Sequence, residues 1–274
     1  MRTVVVGNNI LACNILEWLA QEKEEIIAVI PENKDCVTYN VEWEKPFMDV
    51  SKKISAELNI PRYIGSVNRY VSEIKELKPE LIAFCRTVAL VKPEVLEIPS
   101  RGCSNLHYGM LPKYGGCDTI PHAVLDGERE IGVTLHYMDG TFDTGPILEQ
   151  RSIDITGKRR RLRTPGRDIE VEGLTGFEIY QLANSAAFEI FKEQYVLIKE
   201  HKEKTKPQDS AKKLYYRRGE IDYQKHNRIA LSETEERIGR HARAFTYPPK
   251  RSKPIGVLSD GMEIELILEG LYVQ

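Results

Sequence analysis

Asn105, His107 and Asp143 carry side chains of the types that can assist the transfer of an acyl group. Asn105 and His107 stand two positions apart at the end of a predicted strand, Gly102 to Leu106, so both can point to the same side of it. Asp143 follows later, in the loop Asp143-Thr144-Gly145. An amide donor, an imidazole and a carboxylate together suit a reaction in which an oxyanion forms and a proton moves. The residues alone leave two alternatives open: a structural histidine whose hydrogen bonds are satisfied, and a tight turn at Asp143.

The strand that carries the asparagine and the histidine belongs to a predicted series of alternating strands and helices. Buried strands are predicted at Arg2 to Val6, Ile26 to Ile30 and Leu81 to Phe84, with a helix after the first and another before the third. This alternation predicts an α/β fold with a doubly wound, mostly parallel sheet. Open sheets of this kind bind ligands at the carboxyl ends of their strands, which is where the pair stands.

A polar segment broken by proline, residues 201–210, is a predicted linker between two domains. The first predicted domain, residues 1–200, is catalytic and contains the alternating strands and helices. The second, residues 211–274, is predicted to be a small α+β domain.

Two further helices and one hairpin are predicted in the second half of the chain. A long amphipathic helix covers Gly173 to Glu200 and begins with Thr175 and Glu178 at the spacing of a capping box. A shorter helix is predicted from Ser232 to Ala244, and a hairpin is predicted to turn at Asp260-Gly261.

Composition favours a compact protein over a fibrous, disordered or membrane-spanning one. Of the 274 residues, 41% are hydrophobic and 29% are charged, which is enough apolar material for a core. The 39 Lys and Arg nearly balance the 41 Asp and Glu, so the formal charge of −2 gives no overall attraction to nucleic acid or to anionic lipid. No apolar run approaches the ~20 residues that span a bilayer. Without a secretory signal in the sequence, a cytoplasmic protein with no membrane partner is expected.

Cysteine usage is consistent with a reducing compartment. The five cysteines form no C-x-x-C pair, so buried free thiols are expected and a metal site is not. They are Cys13, Cys36, Cys85, Cys103 and Cys117.

The sequence around the three candidate residues contains four motifs in a fixed order: N-x-H-x-x-x-L-P, Lys-Tyr-x-Gly, Gly-Val-Thr-x-His-x-Met-Asp and Asp-Thr-Gly-Pro-Ile. With these motifs, about the first 200 residues resemble the formyltetrahydrofolate-dependent formyltransferases. That family includes glycinamide ribonucleotide, methionyl-tRNA and sugar-nucleotide N-formyltransferases. The resemblance implies an active site of Asn105, His107 and Asp143, N10-formyltetrahydrofolate as cosubstrate, and a homodimer. Gly109 and Gly115 depart from the family, which usually has Ser and Arg at these positions.

In the reaction that the resemblance implies, an amine attacks the formyl carbon and an oxyanion forms. Asn105 is the expected hydrogen-bond donor to that oxyanion. His107 is expected to take the proton of the amine or to steady the intermediate, and Asp143 to orient the imidazole ring.

The resemblance also implies a pterin pocket that reads the ligand mainly through main-chain groups. Its expected residues are Phe84, Arg86, Val88, Ala89, Leu90, Met138, Asp139 and Asp143. Arg86 is in addition a candidate for binding a phosphate or sugar of the substrate, with a solvated surface charge as the alternative.

Substrate contacts are expected at the helix that follows the first strand, in the Lys-Tyr motif and in the tail. The residues are Asn8, Asn9, Arg86, Lys113, Tyr114, Tyr215, Phe245 and Tyr247. Asn8 and Asn9 suit phosphate binding at a helix N-terminus, and a plain N-cap is the alternative. They follow a turn with one glycine where dinucleotide-binding turns have three, so a nicotinamide site is not expected. Tail aromatics could stack on a nucleotide base, and plain packing is the alternative.

The tail favours one substrate class within the family. Arg240 to Pro249 resembles the R-A-x-x-F/Y-P-P element of sugar N-formyltransferases, and Tyr215 to Tyr223 resembles their entry to the tail. The expected activity is therefore formylation of a nucleotide-linked (dTDP or UDP) deoxyamino sugar, such as a 4-amino-4,6-dideoxyhexose.

Two alternatives remain open at this point. A basic run at residues 158–167, predicted as a loop, could bind RNA phosphates and keeps methionyl-tRNA as an alternative substrate, although a solvated loop or a subunit contact is the more ordinary interpretation. A nucleic-acid partner is otherwise not expected. The other alternative is a non-catalytic protein that binds folate or a nucleotide sugar, which would have no need of the three candidate residues.

Overall fold

A computed structural model describes residues 1–32, 41–87, 89–247 and 253–269. The strands are β1 (Thr3–Gly7), β2 (Ile26–Pro31), β3 (Leu81–Cys85), β4 (Cys103–His107), β5 (Gly115–Gly116), β6 (Glu130–Tyr137), β7 (Ile147–Asp154), β8 (Arg159–Thr164), β9 (Arg167–Glu172), β10 (Tyr215–Tyr216), β11 (Arg228–Ala230), β12 (Ile255–Val257), β13 (Glu263–Glu265) and β14 (Ile267–Leu268). The helices are α1 (Ile10–Gln21), α2 (Val41–Glu57), α3 (Val71–Leu77), α4 (Pro93–Leu96), α5 (Thr119–Asp126), α6 (Gly176–Lys199) and α7 (Glu235–Phe245).

The contacts within the chain form two compact units, each assembled from three separate segments. Unit 1 consists of Met1–Gly115, Val133–Arg151 and Asn184–Leu214. Unit 2 consists of Gly116–Gly132, Ser152–Ala183 and Tyr215–Gln274. The two units group residues by contact and not by position along the chain. The predicted domain boundaries at residues 200 and 211 therefore stay a prediction.

Unit 1 is built on a six-stranded sheet of order β2-β1-β3-β4-β6-β7. The strands β2, β1, β3 and β4 pair in parallel, and β6 pairs antiparallel with β4. Every residue of β1, β2 and β3 is buried. Continuous burial of this kind is typical of parallel strands with helices on both faces. The predicted α/β fold with a mostly parallel sheet is therefore confirmed.

Helices α1 and α6 pack together within unit 1 through aromatic side chains. Trp18 of α1 meets Phe191 and Tyr195 of α6 edge-on, with ring centroids 6.2 and 5.6 Å apart. The buried Tyr195 hydroxyl also lies 3.0 Å from the hydroxyl of Thr3 in β1. Edge-to-face pairs of this geometry stabilise beyond the area that they bury.

In unit 2 the strand order of one small sheet is β14-β8-β9, and α7 packs in the same core. Helix α7 begins at Glu235, with Thr234 as its N-cap, and ends at Phe245, close to the predicted helix. Strands β12 and β13 pair antiparallel, which confirms the predicted hairpin. The core consists of Leu162, Ile169, Val171, Ile238, Ala242, Leu266 and Leu268.

The basic run at residues 158–167 forms part of a β-hairpin, so the prediction of a loop is wrong. Strands β8 and β9 pair antiparallel, and arginines at alternate positions of β8 stand directly opposite acidic residues of β9. Opposite charges directly across two strands stabilise the pairing. The ion pairs are Lys158 and Arg160 with Glu178, Arg159 with Glu170 and Glu172, Arg161 with Asp168, Arg163 with Glu269, and Arg167 with Glu235.

The predicted capping box at the start of α6 is confirmed. The backbone N–H of Thr175 donates to Glu178 Oε2 at 3.0 Å, and the N–H of Glu178 donates to Thr175 Oγ1 at 3.3 Å. These bonds satisfy N–H groups that the first turn of a helix leaves without partners. Neither α6, with 24 residues, nor any other helix in the described ranges combines the length and apolar character needed to cross a membrane.

Candidate active site

The end of β4 carries Asn105 and His107 into the interior of unit 1, where they are only 3% and 8% exposed. Strand β6 runs antiparallel beside β4, and its register places His136 opposite Asn105. After β6, a turn at residues 138–146 leads to β7 and brings Asp143 to the same place. The three residues predicted from the sequence therefore lie together, with His136 as a fourth.

Asp143 lies between two imidazole rings. Its Oδ2 is 3.7 Å from Nδ1 of His107, and its Oδ1 is 3.7 Å from Nε2 of His136. These distances are longer than a direct hydrogen bond. They are short enough for the carboxylate to stabilise a positive charge that develops on either ring.

The two ring nitrogens of His107 have different environments. Nε2 is 2.7 Å from the carbonyl oxygen of Tyr114, and because a carbonyl can only accept, Nε2 carries the hydrogen. Nδ1 faces Asp143 and, in the neutral form of the ring, is then the nitrogen with a lone pair. Gly109 allows this close approach, because a Cβ there would lie 2.1 Å from the Tyr114 oxygen and 2.7 Å from His107 Nε2. The departure from the usual serine at this position is therefore coupled to the way His107 is held.

His136 is fixed as a neutral ring. Its Nδ1 is 2.8 Å from the carbonyl oxygen of Tyr137 and must donate to it, so Nε2 is an acceptor. Burial lowers the pKa of His136 and keeps the ring uncharged at neutral pH. Asn105 Nδ2 lies 3.3 Å from this Nε2 and donates one of its two hydrogens to it.

Asn105 keeps hydrogen-bonding capacity for a ligand. Its amide has a second N–H, and its Oδ1 is buried with no hydrogen-bond partner among the residues that the structure describes. A buried acceptor without a partner is costly unless something binds to it. His136 is not among the site residues predicted from the sequence, although the motif Gly-Val-Thr-x-His-x-Met-Asp contains it at an alternate position of the strand.

Asp143 lies in a tight turn, which was the alternative to a catalytic role in the sequence analysis. The turn also places the carboxylate of Asp143 between His107 and His136. Gly145 lies so close to β6 that a Cβ there would be 1.8 Å from the carbonyl oxygen of Tyr137. The N–H of Tyr137 donates to the carbonyl of Pro146 at 2.9 Å and closes the turn. Asp143 itself has a left-handed backbone with φ of 55°, a conformation that only a few non-glycine residues adopt.

A cleft opens beside these residues, and its empty space is about 320 Å³ when the adjoining open solvent is included. Four of the residues expected to bind the pterin line it, together with Thr87, Val91, Asn105, His136 and Phe142; the four are Ala89, Leu90, Met138 and Asp143. Val88 lies outside the described residues. The lining residues include the apolar Ala89, Leu90, Val91, Met138 and Phe142, which suits the faces of a flat ring.

Three other residues expected in the pterin pocket are not among those that line this cleft. Phe84 is 1% exposed and belongs to the core. The guanidinium of Arg86 lies 4.2 Å above the ring of Tyr108. Asp139 accepts hydrogen bonds from Thr141 and Thr144 within the turn. Direct contacts of these three with folate stay predictions.

The expected substrate residues of unit 1 have defined positions. Asn9 caps α1 by accepting from Ala12 N–H at 3.1 Å, and its Nδ2 donates to the carbonyl of Cys85 at 2.9 Å. Asn8 accepts a longer bond from Asn9. Lys113 is exposed, with its ammonium 5.0 Å from the ring centroid of Tyr114.

Two of the expected substrate residues of unit 2, Phe245 and Tyr247, pack against the same tyrosine within that unit. Phe245 is 1% exposed and contacts the rings of His241 and Tyr223. Tyr247 meets Tyr223 edge-on, and Tyr215 lies in β10. Packing accounts for the positions of Phe245 and Tyr247, and stacking of a nucleotide base on these rings stays a prediction.

The described cysteines are free thiols, and Cys36 lies outside the described residues. Burial raises the pKa of Cys13 to about 12 and also raises that of Cys85 and Cys103. Within the described ranges, no group of three or more His, Cys, Asp or Glu side chains could hold a metal ion.

Comparison with known protein families gives a match to the family described as "Formyl transferase" over residues 1–174. The curated relatives include methionyl-tRNA formyltransferases from two bacteria. That of Acetivibrio thermocellus is 33% identical over 157 residues, which is 57% of this chain and 50% of the relative. That of Clostridioides difficile is 29% identical over 203 residues, or 73% and 60% of the two chains. The chain spans about half the length of most of the curated relatives it matches.

Two solved structures are similar over nearly the whole chain. A 4-N formyltransferase from Francisella tularensis has a TM-score of 0.72 at 18% identity and covers 99% of this chain and 98% of its own. An N-formyltransferase from Helicobacter canadensis, solved with folinic acid and dTDP-3-aminofucose, has a TM-score of 0.68 at 23% identity, with coverages of 93% and 86%. At such identities the likeness shows a shared fold.

Proposed function

The chain belongs to the formyl transferase family, and we propose that it formylates the amine of a nucleotide-linked (dTDP or UDP) deoxyamino sugar, such as a 4-amino-4,6-dideoxyhexose, using N10-formyltetrahydrofolate. The observation that carries the formyl-transfer part is that Asn105 and Asp143 line one cleft, with His107 3.7 Å behind the carboxylate of Asp143. The sugar part is supported by the extent of the likeness. The structure solved with dTDP-3-aminofucose is matched over 93% of this chain and 86% of its own, whereas the methionyl-tRNA relative from Acetivibrio thermocellus is matched over 57% and 50%.

The cleft residues fit the cosubstrate. Apolar side chains of Ala89, Leu90, Met138 and Phe142 suit the faces of a pterin ring, and main-chain groups of the same segments suit its amide-like edge. N10-formyltetrahydrofolate supplies an activated formyl group, on whose oxygen negative charge develops during attack by an amine. Asn105 meets this need, because its free N–H can donate to that oxygen.

Asn105 also orients the nucleophile. Its buried Oδ1 has no hydrogen-bond partner among the described residues, so an N–H of the incoming amine would be the first donor to it. An amide that accepts from the amine and donates to the formyl oxygen holds both reacting groups at once. Such positioning is a large part of the rate enhancement of bimolecular reactions.

His107 takes the proton that the amine loses. Because Nε2 carries a hydrogen and donates to Tyr114, Nδ1 is the atom that accepts the proton. The ring then becomes positively charged, and Asp143, 3.7 Å from Nδ1, stabilises that charge. The same proton can return to N10 of the departing tetrahydrofolate, which balances the reaction.

Methionyl-tRNA is the second candidate acceptor, because the curated relatives at about 30% identity carry that name. RNA binding needs cationic groups that can exchange their partners for phosphates. In the basic run, Arg159 and Arg161 pair with carboxylates of β9 and Arg163 pairs with Glu269, so these positive charges are partly neutralised within unit 2. This pairing favours the sugar acceptor.

The proposal is tested by measuring release of tetrahydrofolate with a panel of dTDP- and UDP-linked amino sugars and, in parallel, with charged methionyl-tRNA. We expect turnover with at least one nucleotide sugar. His107→Ala should abolish that turnover and leave folate affinity largely unchanged, which separates an enzyme from a binding protein. Turnover with the tRNA alone would overturn the sugar assignment.

A further inference from the structure

The segment after α6 lies against the turn that carries Asp143. Ile147, at the start of β7, and Lys206 form an isolated antiparallel bridge, with both N–H to O distances at 2.8 Å. Both residues belong to unit 1. The bridge fixes the register of the segment, so that the side chain two residues further on reaches the turn.

That side chain is Gln208. Its Nε2 is 3.0 Å from the carbonyl oxygen of Asp143 and 2.7 Å from that of Gly145. Both partners can only accept, so the nitrogen of the amide must be the atom that faces them. One side chain thus uses its two hydrogens on two carbonyls of the same turn.

The Asp143 turn needs such support. Asp143 has a left-handed backbone conformation, and Gly145 lies so close to the carbonyl of Tyr137 that no Cβ would fit between them. Backbone conformations of this kind persist when surrounding contacts hold them. The carboxylate of Asp143 must also lie 3.7 Å from His107, and a shift of the turn would change that distance.

From these contacts we propose that Gln208 is a positioning residue that holds Asp143 in place for catalysis. The role of Asp143 rests on the proposed function, whereas the contact of Gln208 with the turn does not. Gln208 lies outside the residues matched by the family comparison and within the segment that the sequence analysis predicted to be a linker.

The sharpest variant is Gln208→Glu, which keeps the size of the side chain but presents oxygens to two carbonyl oxygens. We expect kcat for formyl transfer to fall by about 10- to 100-fold, the scale of a small misplacement of a reacting group. KM for the acceptor should change less than about threefold, because Gln208 bonds the backbone of the turn and not the acceptor. Gln208→Ala should show a smaller loss of the same kind.

Lys206→Ala is the matched control. The side chain of Lys206 is exposed, and the bridge to Ile147 uses only its backbone, so this variant should keep wild-type kcat. A loss in Lys206→Ala as large as that in Gln208→Ala would mean that the segment as a whole matters, and the proposal would be wrong.

A second measurement does not depend on any substrate. The ¹⁵N resonances of the His107 and His136 rings report the position of the Asp143 carboxylate between them. We expect them to move in Gln208→Glu and to stay at wild-type values in Lys206→Ala. Unchanged ring resonances in Gln208→Glu would overturn the proposal. If the wild-type protein formylates no nucleotide sugar, the resonances still decide the role of Gln208, so the two failures are distinguishable.

Discussion

At the scale of single residues, the site depends on which atoms of each ring are already bonded. His107 has one nitrogen committed to a backbone carbonyl and the other facing a carboxylate. His136 has one nitrogen on a carbonyl and the other accepting from Asn105. The two histidines therefore have different roles, although each has a ring nitrogen 3.7 Å from the carboxylate of Asp143. His107 can accept a proton at Nδ1, whereas His136 holds the amide of Asn105.

Gly109→Ser tests how His107 is held. The new Cβ would lie 2.1 Å from the Tyr114 oxygen, so the loop must move and the hydrogen bond to His107 Nε2 is lost. We expect kcat to fall on the order of 100-fold, with folate affinity much less affected. Steady-state kinetics together with a folate-binding titration check this. Wild-type kcat in the variant would show that the carbonyl of Tyr114 does not matter.

His136→Phe and His136→Gln test how Asn105 is held. Phenylalanine removes the acceptor and leaves an N–H of Asn105 unpaired in a buried position, at a cost of about 1–3 kcal/mol. Glutamine keeps an acceptor near the same place. We expect kcat to fall at least 10-fold in His136→Phe, with substantial recovery in His136→Gln. Equal losses in the two variants would indicate that His136 only fills space.

Glu32 predicts a pH dependence of stability. It is 1% exposed at the end of β2, and burial raises its pKa to about 7, although Thr87 donates a hydrogen bond to it. An acid with a raised pKa binds its proton more tightly in the folded state, so stability falls as pH rises from about 4.5 to 7.

Glu32→Gln should remove that fall. Between pH 5 and pH 8 we expect the variant to gain about 2.5 kcal/mol relative to wild type, at about 1.4 kcal/mol per pKa unit. Urea unfolding at the two pH values measures the difference. A constant difference would show that Glu32 titrates at its ordinary pKa in the folded protein.

The trio of Asn105, His107 and Asp143 could be predicted because each residue lies in a local motif. His136 also lies in one of these motifs, but its contacts, like those of Gln208, could not be predicted from local sequence. The role of His136 depends on the register between β4 and β6, and that of Gln208 on a contact across 65 positions of sequence. Neither the register nor the long-range contact can be deduced from the residues adjacent in sequence.

At the scale of elements, strands and helices follow from local pattern where that pattern is apolar. The hairpin of β8 and β9 was missed because its outward positions are charged, and a charged run usually predicts a loop. A signal was nonetheless present. Acidic residues stand at every second position of 168–172, and arginines stand at every second position of 159–163, which is strand periodicity.

Glu178, at the start of α6, is expected to make the free energy of unfolding fall at acid pH. Burial opposes the charge of Glu178, but hydrogen bonds from Lys158, from the backbone of Thr175 and from Arg160 outweigh it and lower its pKa to about 2. An acid with a lowered pKa stabilises the folded state above its unfolded pKa of about 4.5, and this contribution is lost as pH falls toward 2.

Glu178→Gln should therefore destabilise the protein by about 2–3 kcal/mol at pH 7 and by progressively less as pH approaches 2. Glu189→Gln is the control on the same helix, because Glu189 forms only an exposed pair with Lys192. That control should change stability by less than about 0.5 kcal/mol. A pH-independent effect of Glu178→Gln would leave only the capping role.

At the scale of the whole molecule, the balance of charge distinguishes the two acceptors. The formal charge is −2, and the basic run is paired within unit 2. We expect KM for the nucleotide sugar to change by less than about threefold between 50 and 200 mM salt. An RNA acceptor that contacts several phosphates would lose roughly 10³-fold or more over that range. Acceptor affinity that falls so steeply would contradict the sugar assignment.

The contact of Gln208 with the Asp143 turn has a consequence for synthesis on the ribosome. Gln208 is translated 65 residues after Asp143, with β7, β8, β9 and α6 in between. At ~5–20 residues per second, the delay is about 3–13 seconds. During that interval the nascent chain already contains Asn105, His107 and Asp143 but lacks the amide that fastens the turn. Completion of the catalytic geometry is therefore a late event in translation, after α6 has been made.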